Sequence, residues 1–282
     1  MRRAWLTVDL EEWYHLDYLD KQACMATGVR VMPDLFEFLD LLDEEGVKAT
    51  FFCVAEVAEE NADILMELLR RGHALGCHGL DHTRLTDKSV AQFQEETIVA
   101  RRMIEKATGR PVNGYRASCF TMERDKLEAL RALGFTYDSS KILFAQHPLY
   151  RNLDLAGFEK PDDLVYVDGD FTEYEIPTLN IGKYSLPISG GGYMRLFPYW
   201  LLKLLLRLYE KQHQNFTIYV HPFELTRRAL PLPKDLGFMT RFRCLVGRRG
   251  NLKKLRKVIR YLKKRGARFE TLEQDRKERG LE

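Results

Sequence analysis

An α/β fold of repeated β-α units, with a mainly parallel sheet or barrel, is what this sequence predicts, and three observations carry the prediction. Short apolar runs alternate with stretches of helical periodicity through most of the chain, the pattern of a mainly parallel sheet covered by helices. With 282 residues, 45% hydrophobic and 30% charged, the chain is long enough for one large core. Asp9, His78, Arg116, Asp138 and His221 each fall directly after an apolar run, and such barrels gather residues of this kind at the C-terminal ends of their strands.

The expected strands, in order, are Trp5 to Val8, Ala49 to Val54, Ala74 to Cys77, Val112 to Tyr115, Phe135 to Tyr137, Tyr174 to Ile176 and Phe216 to Val220. Helices fill the intervals. Pro33 to Glu45 starts with a proline in its first turn and stops at Gly46, and Ala62 to Arg71 ends at Gly72. Lys88 to Thr108 sets Val90, Phe93, Thr97, Ala100 and Ile104 on one face before Gly109, and Glu123 to Leu133 closes at Gly134. Residues 141–173 and 177–197 lack periodicity and read as ordered loop insertions within one domain spanning 1–282. The Ser189-Gly-Gly-Gly segment lacks the ending of a nucleotide loop and reads as a tight turn or a substrate-contacting loop.

Charge is unevenly spread. The net charge is +3, yet residues 241–282 carry 16 Lys and Arg against 5 Asp and Glu, and the first 240 carry 28 against 36. Residues 251–268 form an expected basic amphipathic helix, with Leu252, Leu255, Ile259 and Leu262 on its apolar stripe. Such a helix either packs on the barrel or makes a peripheral contact with anionic lipid. The longest apolar stretch, Trp200 to Tyr209, is broken by Lys203 and Arg207 and falls short of the roughly 20 residues that span a bilayer. Asp9 cuts the N-terminal apolar run too early for a signal peptide, and five cysteines without regular spacing favour a reducing compartment. A cytoplasmic location is therefore expected, with peripheral contact at the inner membrane face as the alternative that the basic helix leaves open.

The chemistry concentrates in His78-Gly-Leu-Asp-His82 and in the acidic Asp9-Leu-Glu11-Glu12. Two imidazoles four residues apart converge on one cation if they share a helical turn, and a carboxylate from a strand end completes a three-ligand site with an open position. Alternation along an extended strand puts i and i+2 on one face, which favours Glu11 over Glu12 as that carboxylate. Cys77 points to the other face and reads as a core thiol, and His73 as structural. His15, His147 and His213 are expected at surface or loop positions.

The ordered motifs Thr7-Val-Asp-Leu-Glu, His78-x-x-x-His82, Gly114-Tyr-Arg-Ala, Tyr137-Asp-Ser-Ser and Tyr219-Val-His221 resemble those of the polysaccharide deacetylase (NodB-homology) family. Thr50-Phe-Phe, Ser189-Gly-Gly-Gly-Tyr-x-Arg and His221-Pro-Phe-Glu resemble its exopolysaccharide-locus branch. The resemblance implies a distorted (β/α)7 barrel and metal-dependent removal of N-acetyl groups from an amino sugar, in a polysaccharide or a lipid-linked precursor. It implies Asp9 as base, His221 as acid, Arg116 as the partner orienting Asp9, Asp138 as the carboxylate holding Arg116, and an oxyanion donor among the backbone N–H groups just after Arg116. Glu11, His78 and His82 are implied as ligands of a divalent metal, zinc in most of the family, with cobalt, nickel, manganese or iron chemically acceptable. The expected partner is an N-acetylated glycan or lipid-linked sugar rather than nucleic acid. Hydrolysis of a small amide, imide or formamide, and a non-catalytic glycan-binding module, are the alternatives. The chain departs from the common pattern where Asp-Leu-Glu-Glu replaces Asp-Asp, where Ser118 replaces a proline and where Gly79 follows His78.

Overall fold

The computed structural model describes residues 2–144 and 153–281; His147 lies outside the described residues. Strands run in chain order as β1 (Arg2–Leu10), β2 (Thr50–Cys53), β3 (Ala74–Cys77), β4 (Gly114–Tyr115), β5 (Tyr137–Asp138), β6 (Glu159–Asp162), β7 (Val165–Asp168), β8 (Phe171–Tyr174), β9 (Thr178–Ile181), β10 (Tyr184–Pro187), β11 (Phe216–Val220) and β12 (Ala267–Phe269). Helices are α1 (Lys21–Met25), α2 (Leu35–Glu44), α3 (Ala62–Arg70), α4 (Val90–Thr108), α5 (Arg124–Ala132), α6 (Gly191–Leu196), α7 (Tyr199–Tyr209), α8 (Pro222–Leu225), α9 (Phe238–Leu245), α10 (Arg248–Lys264) and α11 (Leu272–Glu278).

Seven strands pair in parallel in the order β11-β1-β2-β3-β4-β5-β8, and β7 and β6 extend β8 antiparallel. This is the distorted (β/α)7 barrel. Its distortion lies between β8 and β11, which share no ladder. Residues after β8 fill the gap: Thr217 Oγ1 donates to the Glu175 carbonyl at 3.2 Å, and Tyr219 N–H donates to the Ser189 carbonyl at 3.1 Å.

Alternation along the strands separates two cores. Leu6, Val8 and Leu10 of β1, Phe51 and Cys53 of β2, Leu75 and Cys77 of β3, and Ile218 and Val220 of β11 point outward under the helices. Trp5, Phe52, Tyr137 and Tyr174 point inward and fill the lower barrel, and Leu272 of α11 joins them from below. Above this plug the inward series continues as Thr7 and Asp9 on β1, and as Thr217 and Tyr219 on β11.

The regular β-α half follows the expected elements closely. The two aperiodic insertions hold structure that periodicity did not signal, namely β6 and β7, which extend β8, and the β9-β10 hairpin, and the strand expected at Tyr174 to Ile176 is β8, which ends at Tyr174. The expected helix 251–268 is α10, which starts at Arg248 and ends at Lys264, so Ala267 and Arg268 belong to β12 on β1. Leu255, Val258, Ile259 and Leu262 of α10 are buried in the outer core. Its Arg256 and Arg260 pair with Glu44 and Glu45 beside α2.

Candidate metal and acid-base site

The top of the barrel is a cavity of about 450 Å³ into which Asp9, Glu11, His78, His82 and His221 all project. One ligand atom from each of Glu11, His78 and His82 lies within 4.8 Å of the others. A carboxylate and two imidazoles form a donor set suited to a divalent transition metal. Glu11 Oε2 and His82 Nδ1 are buried and make no well-aligned hydrogen bond, each facing only an ion-pair neighbour, His82 Nε2 and Asp17 respectively. Glu11 faces the cavity because the chain turns just past β1, with Glu11 N–H bonded to the Asp9 carbonyl at 3.0 Å. Glu12 faces away, and its buried carboxylate accepts the N–H groups of Val31 at 2.8 Å and Met32 at 3.1 Å.

The two histidines do not share a helical turn. They sit on the loop after β3, where Gly79 has φ 84 and His82 φ 68. The left-handed backbone at Gly79 explains why the chain lacks a Ser or Thr there, since a Cβ is strained at such φ. His78 Nδ1–H donates to the Arg116 carbonyl at 2.8 Å, which leaves Nε2 for the cluster. Burial pushes its pKa down to about 4, so it is the neutral form a ligand needs. His82 Nε2 lies 2.8 Å from Glu11 Oε2, and its Nδ1 lies 3.6 Å from Asp17 Oδ1. Burial alone would lower the His82 pKa, but Glu11 and Asp17 raise it to about 10, the mark of an anionic cradle that attracts positive charge. Asp17 is held by Arg84 at 2.6 Å and by the Cys119 thiol at 2.9 Å.

Arg116 is fully buried and stacks over Phe52 at 4.4 Å. Its Nη1 donates to Asp9 Oδ1 at 2.7 Å and to Thr7 Oγ1 at 2.8 Å, while Nε and Nη2 donate to the carbonyl and hydroxyl of Ser139 at 2.8 and 2.7 Å. Burial would raise the Asp9 pKa, but Arg116, His78 and His221 outweigh it and hold Asp9 below its ordinary value.

Asp138 does not hold this arginine. Tyr137 points into the barrel, so alternation sends Asp138 outward and Ser139 inward. Asp138 Oδ1 accepts the Ser140 hydroxyl at 2.8 Å, and Asp138 faces the buried Glu173. Burial pushes the Asp138 pKa up to about 6, and burial with the Asp138 charge pushes Glu173 up as well, so the two share a proton away from the cavity.

His221 follows β11 on the inward series, with Nε2 3.7 Å from Asp9 Oδ2 and 3.9 Å from Glu11 Oε1. Its Nδ1 is 3.1 Å from Glu224 Oε2, which also accepts the His221 N–H at 3.0 Å, and Glu224 Oε1 accepts from Arg195 Nε at 2.7 Å. Arg195 donates further to the carbonyls of Arg243 and Val246 at 3.0 and 2.9 Å, fastening α9 to the site. Burial would lower the His221 pKa, but Glu224, Glu11 and Asp9 raise it to about 9. The Gly-rich segment leads into α6, and its Gly191 and Gly192 line the cavity. A Cβ on Gly190 would lie 2.0 Å from the Tyr219 carbonyl, so glycine is what lets this segment pack on β11.

Sequence reasoning gave no role to Glu224, Arg195, Ser139 or Asp17. A signal existed for Glu224: His-Pro-Phe-Glu is a helix start with proline at the first position and glutamate at the third, closing a capping box. His15 is buried rather than on the surface, stacked on His82 with ring centroids 5.9 Å apart and bonded to Glu56.

Residues 33–137 match the family model described as polysaccharide deacetylase, and residues 148–274 match one described as a domain of unknown function, DUF3473. Among curated proteins, the chain is 31% identical over 71 residues to the peptidoglycan-N-acetylglucosamine deacetylase PgdA of Listeria monocytogenes, covering 25% of this chain and 15% of that protein. It is 30% identical over 77 residues to the peptidoglycan-N-acetylmuramic acid deacetylase PdaA of Bacillus subtilis, covering 27% and 29%. The matches therefore span less than a third of those relatives. Among solved structures, a polysaccharide deacetylase of Mycobacterium smegmatis superposes with a TM-score of 0.60 at 17% identity, covering 98% of this chain and 90% of that one. Puue allantoinase superposes with a TM-score of 0.63 at 16% identity, covering 98% and 89%. These two likenesses are of fold. The chain is thus similar to the polysaccharide deacetylase family over residues 33–137 and to these relatives over the matched segments.

Proposed function

We propose that this chain removes the acetyl group from an N-acetylated amino sugar of a glycan, with Glu11, His78 and His82 holding a divalent cation. The observation that carries the reading is the opposed pair beside that cluster: an Asp9 carboxylate fixed by Arg116, and a His221 imidazolium fixed by Glu224, 3.7 Å apart in one cavity. Hydrolysis of an amide needs a base for the attacking water and an acid for the departing nitrogen. When bound, the cation supplies polarisation of the acetyl carbonyl and acidification of water.

Asp9 is ionised, and Arg116 leaves its Oδ2 free to take the water proton. The water oxygen adds to the acetyl carbon, and the carbon-nitrogen bond breaks as His221 Nε2–H protonates the nitrogen, yielding acetate and a free amine. Glu224 keeps His221 charged for that transfer. The Ala117 N–H is committed to the Ser140 hydroxyl at 2.8 Å, so the oxyanion donor falls to the following N–H groups, of which Cys119 lines the cavity. The relatives named above support the substrate class through their own names, as deacetylases of N-acetylglucosamine and N-acetylmuramic acid units. A panel of N-acetylated oligosaccharides and small amides, assayed for free amine and acetate after loading with zinc or cobalt, tests the proposal. Acetate from the sugars sustains it; cleavage of the small amides alone overturns it.

A further inference from the structure

Sixteen large hydrophobic side chains stand exposed among the described residues, and ten of them fall between residues 181 and 245. They form a pattern. On α7, Leu202, Leu205, Leu206 and Tyr209 are buried, while Trp200, Leu204 and Leu208, spaced by four, face solvent at 69%, 47% and 36% exposure. A helix apolar on both sides is one that covers something on both sides. On α9, Cys244 is the one buried residue; Phe238, Met239, Phe242 and Leu245 face outward, and Phe238 stacks on Phe242. Eight residues do not hold a helix by themselves in water. Arg195 ties α9 to α6, and Leu196 at the end of α6 shares the cavity wall with Met239 and Phe242. The apolar face of α9 thus reaches the mouth of the site, and α7 follows Leu196 after two residues.

The charge of this segment is one-sided. Residues 181–245 carry ten Lys and Arg against three carboxylates. Of those three, Glu210 is bonded to Arg2 and Arg265, and Glu224 is buried against Arg195. Lys203 and Arg207, which flank the α7 stripe, and Arg243, on the cavity wall, meet no carboxylate among the described residues. We propose that α7 and α9 form a docking face for an anionic lipid surface, with the mouth of the site at its edge. Apolar side chains interleaved with cations suit a layer whose headgroups are negative and whose interior is hydrocarbon. A second copy of the chain would bring the same cations against one another. α10, the basic helix that composition singled out, is not the docking element, because its apolar stripe is consumed by the core and two of its arginines by Glu44 and Glu45.

The test is sedimentation of the full chain with vesicles of phosphatidylglycerol and phosphatidylcholine, and with phosphatidylcholine alone, at low and high salt. The wild type is expected to pellet with the anionic vesicles at low salt. The W200S/L204S/F238S/M239S variant, altered only at exposed positions, should lose at least tenfold in bound fraction, and K203E/R207E should lose the preference for anionic lipid. R249E/K253E on α10 should bind as the wild type. Trp200 supplies a second readout, since Trp5 and Trp13 are fully buried: a blue shift on adding anionic vesicles, absent in W200F, places α7 at the lipid. Failure of the wild type to pellet, binding that survives the fourfold variant, binding lost in R249E/K253E, or a dimer that the fourfold variant dissolves would each overturn the proposal. None of these readouts depends on the proposed deacetylation.

Discussion

Glu224→Gln probes the acid half of the site with the smallest change of shape. Activity requires His221 to carry its proton. Against burial, Glu224, Glu11 and Asp9 push the His221 pKa up to about 9 in the metal-free site, and a cation at Glu11 offsets part of that rise, so activity should fall on the alkaline side, at or below about 9, as His221 loses its proton. From an ordinary 6.5 to about 9 is a rise of 2.5, or ~3.4 kcal/mol at 1.36 kcal/mol for each pH unit. Three carboxylates produce it against burial, at 3.1 Å for Glu224, 3.7 Å for Asp9 and 3.9 Å for Glu11. Glu224 is the nearest and the largest contributor and is not among the cation's ligands, so its loss should move the alkaline limb to lower pH by about one unit or more. The rate at pH 9 then falls roughly 10-fold or more, while the rate at pH 6 changes little. Arg195 is left as a buried cation without its carboxylate, costing about 3–5 kcal/mol of stability, so a melting curve accompanies each profile. Arg195→Gln/Glu224→Gln removes both charges and should recover part of that stability while keeping the displaced limb. The assay is kcat against pH for acetate release. An alkaline limb at the wild-type pH in a folded, metal-loaded Glu224→Gln protein contradicts the assignment of His221 as the acid.

Three further outcomes follow from the geometry. Glu11→Gln should lower metal content by elemental analysis together with activity, whereas Glu12→Gln should keep the metal and lose about 1–3 kcal/mol in denaturant unfolding, because Glu12 serves the Val31 and Met32 N–H groups. Asp138→Asn should retain most of kcat, since its carboxyl faces Glu173, whereas removing the inward Ser139 hydroxyl by Ser139→Ala should slow turnover roughly 10-fold by loosening Arg116 and Asp9. Gly190→Ala should cost about 1–3 kcal/mol and lower kcat by displacing the end of β11 two residues before His221, read by thermal melting and by turnover.

The sequence made the barrel legible because seven apolar runs, five of them ended by a chemically active residue, repeat one physical unit. Asp9, His78, Arg116 and His221 follow from the same alternation, whereas Glu11, also on the expected side, faces inward because the chain turns just past β1. Where residues misled, the cause is local backbone or register. The 78–82 spacing suggests a helical turn, but the left-handed Gly79 and His82 make a loop that brings the imidazoles together another way. Asp138 was assigned through resemblance, while strand alternation, applied one residue further, selects Ser139. The Glu224-Arg195 support could be read only in part, because a capping box shows that Glu224 bonds the chain at His221 but says nothing of an arginine 29 residues away. The docking face left no sequence signal that distinguishes it from core, since α7 is apolar on both sides and only the packing reveals which side is covered.

The most direct test is to follow acetate released from a carbon-13 acetyl-labelled N-acetylglucosamine oligosaccharide by NMR, while zinc or cobalt is titrated into metal-free protein. Acetate production should rise in proportion to bound metal, level off at one equivalent, and be absent from His82→Ala at any metal concentration. Release that does not depend on occupancy, or no acetate from protein shown to hold one equivalent at Glu11, His78 and His82, contradicts the account.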